Sequence, residues 1–291
     1  MQTFLLSVGF GLVTAAILAL SAVAFTLEYA VSRVANLAHG ELLTVGAYAA
    51  YVVQEHSSDV ALAAIAAAAA GGLAALVTNV GVVERFAGQS PIVTLIATLG
   101  LSLVFQNVLI MIFGGANVSY TIAQGNPHHV GPFLWTNAEI AVILAALVVA
   151  GLLYLLLQRT KFGKAIRAVA ENRDLARASG IRARRVISQT WALAGVVAGF
   201  SGFVLAETVG TFSPTFGYSF LLITITAAVA GGLGRPYATL VGALVVGLVL
   251  ELAGAYSNAS YELAFAFGML VLMLLFRPNG LFSPGRRMAL R

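Results

Sequence analysis

The stretch that decides the fold is Arg159–Gln189, RTKFGKAIRAVAENRDLARASGIRARRVISQ. It holds nine of the sixteen basic residues of the chain: Arg159, Lys161, Lys164, Arg167, Arg173, Arg177, Arg182, Arg184 and Arg185. Only Glu171 and Asp174 oppose them. Nearly everything on either side is apolar: the 291 residues are 60% hydrophobic and 9% charged, and the mean hydropathy is +0.94. Water-soluble domains carry about 25% charged residues, so this composition reads as an integral membrane protein with one basic island in contact with water.

Working outward from the island, apolar runs of spanning length recur on both sides; about 20 such residues cross a bilayer as a helix. The candidates are Phe4–Leu27, Leu37–Val53, Val60–Val83, Ile92–Phe113, Ala138–Leu157, Ser188–Glu207, Phe220–Leu233, Ala238–Ala255 and Leu263–Phe276. The expected fold is therefore an all-α, polytopic transmembrane bundle of about nine spans. Eight is the alternative, because the second and seventh runs are short. Residues 1–291 read as one membrane domain, with a cytoplasmic segment at 159–187. The first run lacks a preceding basic residue and exceeds a signal-peptide core, so it reads as a retained span.

With the island on the cytoplasmic side and the sides alternating, all sixteen Lys and Arg fall on inner segments, Arg33, Arg85, Arg235, Arg277, Arg286, Arg287 and Arg291 included. Orientation follows Lys/Arg bias in short loops, which predicts the N-terminus outside and the C-terminus in the cytoplasm. The same sorting attributes the basic charge to topology and gives no reason to invoke nucleic acid. The chain has no cysteine, which excludes disulfides and thiolate metal sites. His128-His129 sits on a Gly/Pro-rich outer loop with Asn126 and Pro132 but without a nearby acid, so solvation is expected and no metal site is assigned.

Three polar features interrupt the apolar runs. Asn36-Leu-Ala-His39-Gly40-Glu41 opens the second run, and charge in a bilayer is expensive. It reads either as a discontinuous helix, broken at Gly40, that lines a gate, or as a cap at the water boundary, with Asn36 as N-cap and Glu41 in the first turn. Thr94, Thr98, Ser102 and Gln106, four apart, form one polar stripe on a helix, facing a substrate pathway or another helix. Ala230-Gly231-Gly232-Leu233-Gly234-Arg235-Pro236 predicts irregular backbone. Short or broken helices are thus expected near 36–47 and 230–242. Val45-Gly46-Ala47 and Val241-Gly242-Ala243 echo one another after these two turns. Gly195-Val-Val-Ala-Gly199 reads as a close-packing surface. Glu207 and Glu251, near outer span ends, are candidate proton or cation sites, or interfacial residues.

Within the island, Phe162, Ile166 and Val169 recur at helical spacing. Asn172 is placed to cap a second short helix, with Asp174 in its first turn, and Gly180 to stop it before Ile181. A basic anchor on lipid headgroups would not require these caps; a protein partner would use them. There is no G-x-x-x-x-G-K-[ST], so the chain itself is not expected to hydrolyse ATP, and H-E-x-x-H and G-x-S-x-G are also missing.

Asn36-Leu-Ala-His39-Gly40-Glu41 with Gly46-Ala47-Tyr48 resembles the early signature of branched-chain amino acid ABC permeases of the LivH type. Phe162–Ala168 continuing through Glu171-Asn172, Ala176 and Gly180-Ile181, Gly231–Gly234, and Arg277-Pro278-Asn279-Gly280-Leu281-Phe282 are similar as well. The resemblance implies one membrane half of an importer in a bacterial inner membrane. It implies a second, homologous permease, two cytoplasmic ATPase subunits that hold ATP and magnesium, and a periplasmic solute-binding protein. It also implies that Glu171, Asn172, Arg173, Asp174, Ala176, Arg177, Gly180 and Ile181 belong to the segment docked on an ATPase. Nine positions separate Glu171 from Gly180, unlike the E-A-A-x-x-x-G loop of other importers, so that loop's contacts are not transferred. Pathway residues are expected at Thr94, Thr98, Ser102 and Gln106, with Asn36, His39 and Glu41 at a gate. Urea, short amides and aromatic carboxylates are alternative solutes. A proton-driven secondary transporter using Glu207 or Glu251 is the alternative of another class.

Overall fold

The computed structural model describes residues 2–120, 125, 127–131, 133–257, 261–277 and 280–281. Asn126 and Pro132 of the outer loop, Pro278, Asn279 and Phe282 of the terminal motif, and Arg286, Arg287 and Arg291 lie outside the described residues.

Each of the nine apolar runs is a helix. They are α1 (Gln2–Ser32), α2 (His39–His56), α3 (Val60–Thr78), α4 (Pro91–Phe113), α5 (Asn137–Arg159), α8 (Ala183–Val209), α9 (Phe216–Gly231), α10 (Pro236–Tyr256) and α11 (Glu262–Phe276), and the basic island supplies α6 (Lys161–Glu171) and α7 (Arg173–Ala178). Among the described residues, six helices are long and apolar enough to cross a membrane, and α9 and α11 are shorter apolar helices. α3 ends in a π turn over Asn79–Val83, so the Val60–Val83 run is helical to its last residue.

Two details differ from expectation. The break near the second run falls at residues 33–38, before α2, and α2 is continuous through Gly40. Gly40 permits contact rather than a break: a Cβ there would strike the carbonyl of Gly217 on α9. The fold also contains short strands. β1 (Val118–Ser119) pairs antiparallel with β4 (Thr211–Phe212), and β2 (His128–Val130) pairs with β3 (Phe133–Trp135). They form because connecting segments outside the helices still need partners for their backbone groups.

α1 is the axis of the bundle. It packs along α10 and also meets α5, α8 and α9, while α3 packs on α8 and α2 sits between them. Glycine sets that second group. A Cβ on Gly46 of α2 would collide with Gly199 of α8, and one on Gly71 of α3 with Gly195 and Gly199. With no side chain between them the backbones approach closely, and dispersion contacts replace a hydrophobic drive that lipid does not provide. The Gly195/Gly199 surface is thus a packing surface. The echo at Gly242 has the same use, since a Cβ there would meet Ala227 and Gly231 of α9.

Large apolar side chains point outward on the peripheral helices, among them Met111 at 79%, Phe276 at 76% and Leu147 at 65% exposure. An apolar surface this extensive is a lipid or partner surface. The basic residues collect at one end. Arg33 donates to the Ala170 carbonyl of α6, Arg184 pairs with Glu84, and Gly234, beside Arg235, lies against Tyr29 and Ala30 of α1. The two glycine motifs meet there as well: Leu281 N donates to the Ala230 carbonyl at 2.9 Å, and Gly280 lies on Gly232. At the opposite end, Trp135 Nε1 donates to the Gly9 carbonyl at 3.1 Å and β1 joins β4.

Candidate functional site

α1 runs five residues past the predicted end of its apolar run, and this brings Glu28 inside. The chain then turns back through Arg33, whose φ of 59° is a left-handed conformation that reverses direction. Asn36 and His39 return to the same carboxylate. His39 Nδ1 lies 3.0 Å from Glu28 Oε1 and Asn36 Nδ2 donates to Oε2 at 2.9 Å. The three side chains are 0–1% exposed. On the far side of the imidazole, Nε2 is 3.4 Å from Ser21 Oγ, which lies 2.9 Å from Thr224 Oγ1 on α9. A buried charge is tolerable only when its lone pairs are matched, and here α1, the turn and α2 match them together. Asn36 Oδ1 accepts from Ala38 N at 3.0 Å. It therefore shapes the turn; the N-cap position of α2 is Ala38, without a side-chain cap.

The polar stripe faces α2. The buried residues of α4 are Thr94, Thr98, Ser102, Gln106 and Leu109, so the stripe is nearly all of the helix's inner face. Ser102 Oγ and Gln106 Nε2 donate to Glu41 Oε1 at 3.0 and 2.7 Å, and Thr98 Oγ1 accepts from Leu37 N at 3.2 Å. Glu41 Oε2 is buried without a hydrogen-bond partner among the described residues. Glu41 is fully buried rather than at a water boundary. Thr94 borders a cavity of about 180 Å³ at the basic end, shared with Arg33, Glu84 and Arg173. The seven predicted pathway residues are thus all buried and make a polar seam of separate groups: Thr94 at the cavity, Thr98 on the Leu37 N–H, Ser102 and Gln106 on Glu41, and Asn36 and His39 on a chain of three further partners, Glu28, Ser21 and Thr224. Those three partners were missed in the sequence. Glu28 lies one residue past the first apolar run, Phe4–Leu27, and lone hydroxyls in a span carry no address.

Beside the seam, Gly46-Ala47-Tyr48 supports the middle of α2. Gly46 touches Gly199, the Ala47 carbonyl accepts from Tyr120 at 2.9 Å, and Tyr48 packs on Phe113 and Phe212 at 4.7 and 5.3 Å between ring centroids.

The basic segment is built as rigid pieces. Thr160 caps α6 by accepting from Gly163 N at 3.0 Å. A Cβ on Gly163 would meet the Leu156 and Leu157 carbonyls, so only glycine lets α6 fold back on the end of α5. Phe162, Ile166 and Val169 face inward as expected. Asn172 Oδ1 accepts from Asp174 N and Leu175 N at 3.1 and 3.0 Å. Gly180, at φ +82°, ends α7: its N–H bonds the Arg177 carbonyl, and Ile181 N bonds the Ala176 carbonyl at 3.0 Å. Ala176 is buried beneath α7, Arg173 and Ile181 are half-buried, and Glu171, Asn172, Asp174 and Arg177 are exposed. Asp174 and Arg177 lie 3.7 Å apart on that surface. Residues 183–187, read as part of the segment, are the first turns of α8.

One anchor of this segment lay beyond sequence reading. Glu84, after the π turn, accepts from Arg184 Nε at 2.8 Å, from Ser188 Oγ at 2.9 Å and from Asn79 Nδ2 at 3.2 Å. Partial burial pushes its carboxyl up. The hydrogen bonds from Arg184 and Ser188, the Arg184 charge and Asn79 outweigh that and hold it below the usual glutamate range. Of the other acids, Glu207 is half-buried on the last turn of α8, and Glu251 accepts from Thr14 Oγ1 at 2.6 Å.

Comparison with known proteins fits this geometry. Residues 7–274 match the family model of the permease component of branched-chain amino acid transport systems. The high-affinity branched-chain amino acid transport permease LivH of Escherichia coli is 26% identical over 91% of each chain. BraD of Pseudomonas aeruginosa, of the same description, is 26% identical over 94% of each. LivM of Escherichia coli is 28% identical over 53% of this chain and 35% of its own. A helical bundle with lipid-soluble flanks, a buried polar seam and a capped basic segment, matched along almost its whole length, belongs to the family of branched-chain amino acid transport permeases.

Proposed function

We propose that this chain is one membrane-spanning subunit of an ATP-binding-cassette importer for branched-chain amino acids, with no ATPase site of its own. It would pair with a second, homologous permease, take solute from a periplasmic binding protein, and be driven by two cytoplasmic ATPase subunits that carry ATP and magnesium. Its setting is the lipid of a bacterial inner membrane, crossed nine times with the N-terminus outside. The observation that carries this reading is the basic segment. α7 is capped at both ends, and together with Glu171 at the end of α6 it offers Asn172, Asp174 and Arg177 to solvent at the basic end. A small rigid projection beside a buried core is the form that transmits a partner's motion.

In this reading Asn36, His39 and Glu41 form the gate and Thr94, Thr98, Ser102 and Gln106 the wall that parts from it. Closure of the ATPases shifts α7. The Glu84–Arg184 pair and the Arg33 contact with α6 pass the shift to α3, α8 and the turn before α2. The seam then exchanges its internal hydrogen bonds for water or solute.

Co-purification with the ATPase subunits tests the docking. Gly180→Pro combined with charge reversal at Arg173 and Arg177 is expected to release the ATPases while the chain still inserts. Unchanged assembly and unchanged transport would sink the reading. Uptake that persists without ATPases and collapses with the proton gradient would replace it with a secondary transporter.

A further inference from the structure

At the end of the bundle opposite the basic segment, α1, α8, α9 and α10 enclose a pocket of about 570 Å³. This is within the range of pockets that hold small molecules, roughly 300–1,000 Å³. Its wall is divided. Ile17, Leu205 and Phe220 supply apolar surface, Thr208 and Ser219 supply hydroxyls, and Glu251 supplies a carboxylate. Thr14 donates to Glu251 Oε1 at 2.6 Å, fixing the carboxylate and leaving Oε2 without a protein hydrogen bond among the described residues. No Lys or Arg lines the pocket, and the described basic residues gather at the other end of the molecule. A carboxylate without a countercharge, in a mixed cavity with low-dielectric walls, attracts a cation and disfavours an anion.

The geometry points to a solute-binding site in which Glu251 pairs with the primary ammonium group of a small molecule and the Ile17–Leu205–Phe220 wall takes its apolar side chain. The site is separate from the polar seam, none of whose seven predicted residues lines it. The importer reading supplies only the identity of the solute, an amino acid with an aliphatic side chain. The pairing itself follows from the pocket.

The chain has no cysteine, so a single Ser219→Cys substitution in the full chain, in membrane vesicles, gives one reactive thiol at the pocket wall. Methanethiosulfonates bearing an ammonium or a sulfonate group are compared. With each rate divided by that reagent's rate with a small free thiol in solution, the ammonium reagent is expected to react about ten-fold faster, the size of a modest local field. Glu251→Gln should abolish the difference and Glu251→Asp should keep it. Leucine and isopentylamine at millimolar concentration should slow labelling, whereas 4-methylpentanoate, which lacks the amine, should not. Equal rates for the two reagents, or equal protection by 4-methylpentanoate, overturns the proposal. ATPases are not needed for this measurement. Lost protection with ATPases still retained refutes the site alone, and lost ATPase retention with protection intact refutes the importer reading alone.

Discussion

Glu28 and His39 face each other at 3.0 Å across the break between α1 and α2, both with side chains 0% exposed. They stand on either side of that break, Glu28 one turn before the end of α1 and His39 at the first residue of α2. Removing either one leaves a polar atom of the other, Glu28 Oε1 or His39 Nδ1, buried and unmatched. Breaking a buried pair in this way costs about 3–5 kcal/mol. Glu28→Ala and His39→Ala should each lower the thermal stability of the detergent-solubilised chain severely. The Glu28→Ala, His39→Ala double variant should lose less than the sum of the two single losses. Additive losses in that double-mutant cycle would show that the two side chains do not interact.

Steric room divides the glycines of the spans. Gly199→Val places a side chain into the backbone of α3, where even a Cβ collides with Ala67, so little folded protein should accumulate. Gly100 and Gly151 have nothing within 4 Å of an added Cβ. Alanine at either should change stability by less than about 1 kcal/mol. The yield of monodisperse protein in size-exclusion chromatography reads both.

The cap of α7 rests on one exposed side chain, Asn172. Asn172→Ala leaves Asp174 N and Leu175 N without their acceptor, at a cost of about 1 kcal/mol. Hydrogen exchange should speed up by roughly five-fold across residues 173–178, with α8 unchanged. No change there would mean that packing on Ala176 alone holds the helix.

Glu84 gives the segment a pH limit. Its carboxyl is held below its unfolded-state value, so its stabilising contribution is complete above the ordinary glutamate range and is lost as the pH falls through the lowered folded value. The contact between the π turn and α8 should therefore persist from neutral pH down to about pH 4 and weaken below it. Glu84→Gln should show the loosened state already at neutral pH. Exchange across residues 79–90 and 183–188, measured against pH, checks the direction.

The seam should answer to its donors. Ser102→Ala with Gln106→Ala strips Glu41 of both hydrogen bonds to α4, a loss of about 1–3 kcal/mol for each buried group left unmatched. Transport in proteoliposomes should fall more than ATPase retention. An equal fall in both would place these residues in the general scaffold.

Much of this architecture can be read from composition. Nine apolar runs became nine helices because bilayer length and backbone satisfaction leave few other choices. The caps at Asn172 and Gly180 were legible because they act on neighbours two to five residues away. The α4 stripe was legible as a face, but not its partner Glu41, since nothing in a helical period says which helix lies opposite. Glu28 was hidden for the same reason. Its meaning depends on Asn36 and His39 returning to it after a turn, and hydropathy registers only that a charge follows an apolar run. The short strands β1–β4 escaped because two- and three-residue pairings leave no period to detect.

α1 carries both Thr14, which holds Glu251, and Glu28, which holds Asn36 and His39. Fourteen residues of helix separate them, about 21 Å at 1.5 Å per residue. A helix without a described break is stiff along its axis, so a displacement at one of these two points arrives at the other nearly undiminished. The helix is thus a single stiff part that reaches from the pocket at one end to the turn at the other.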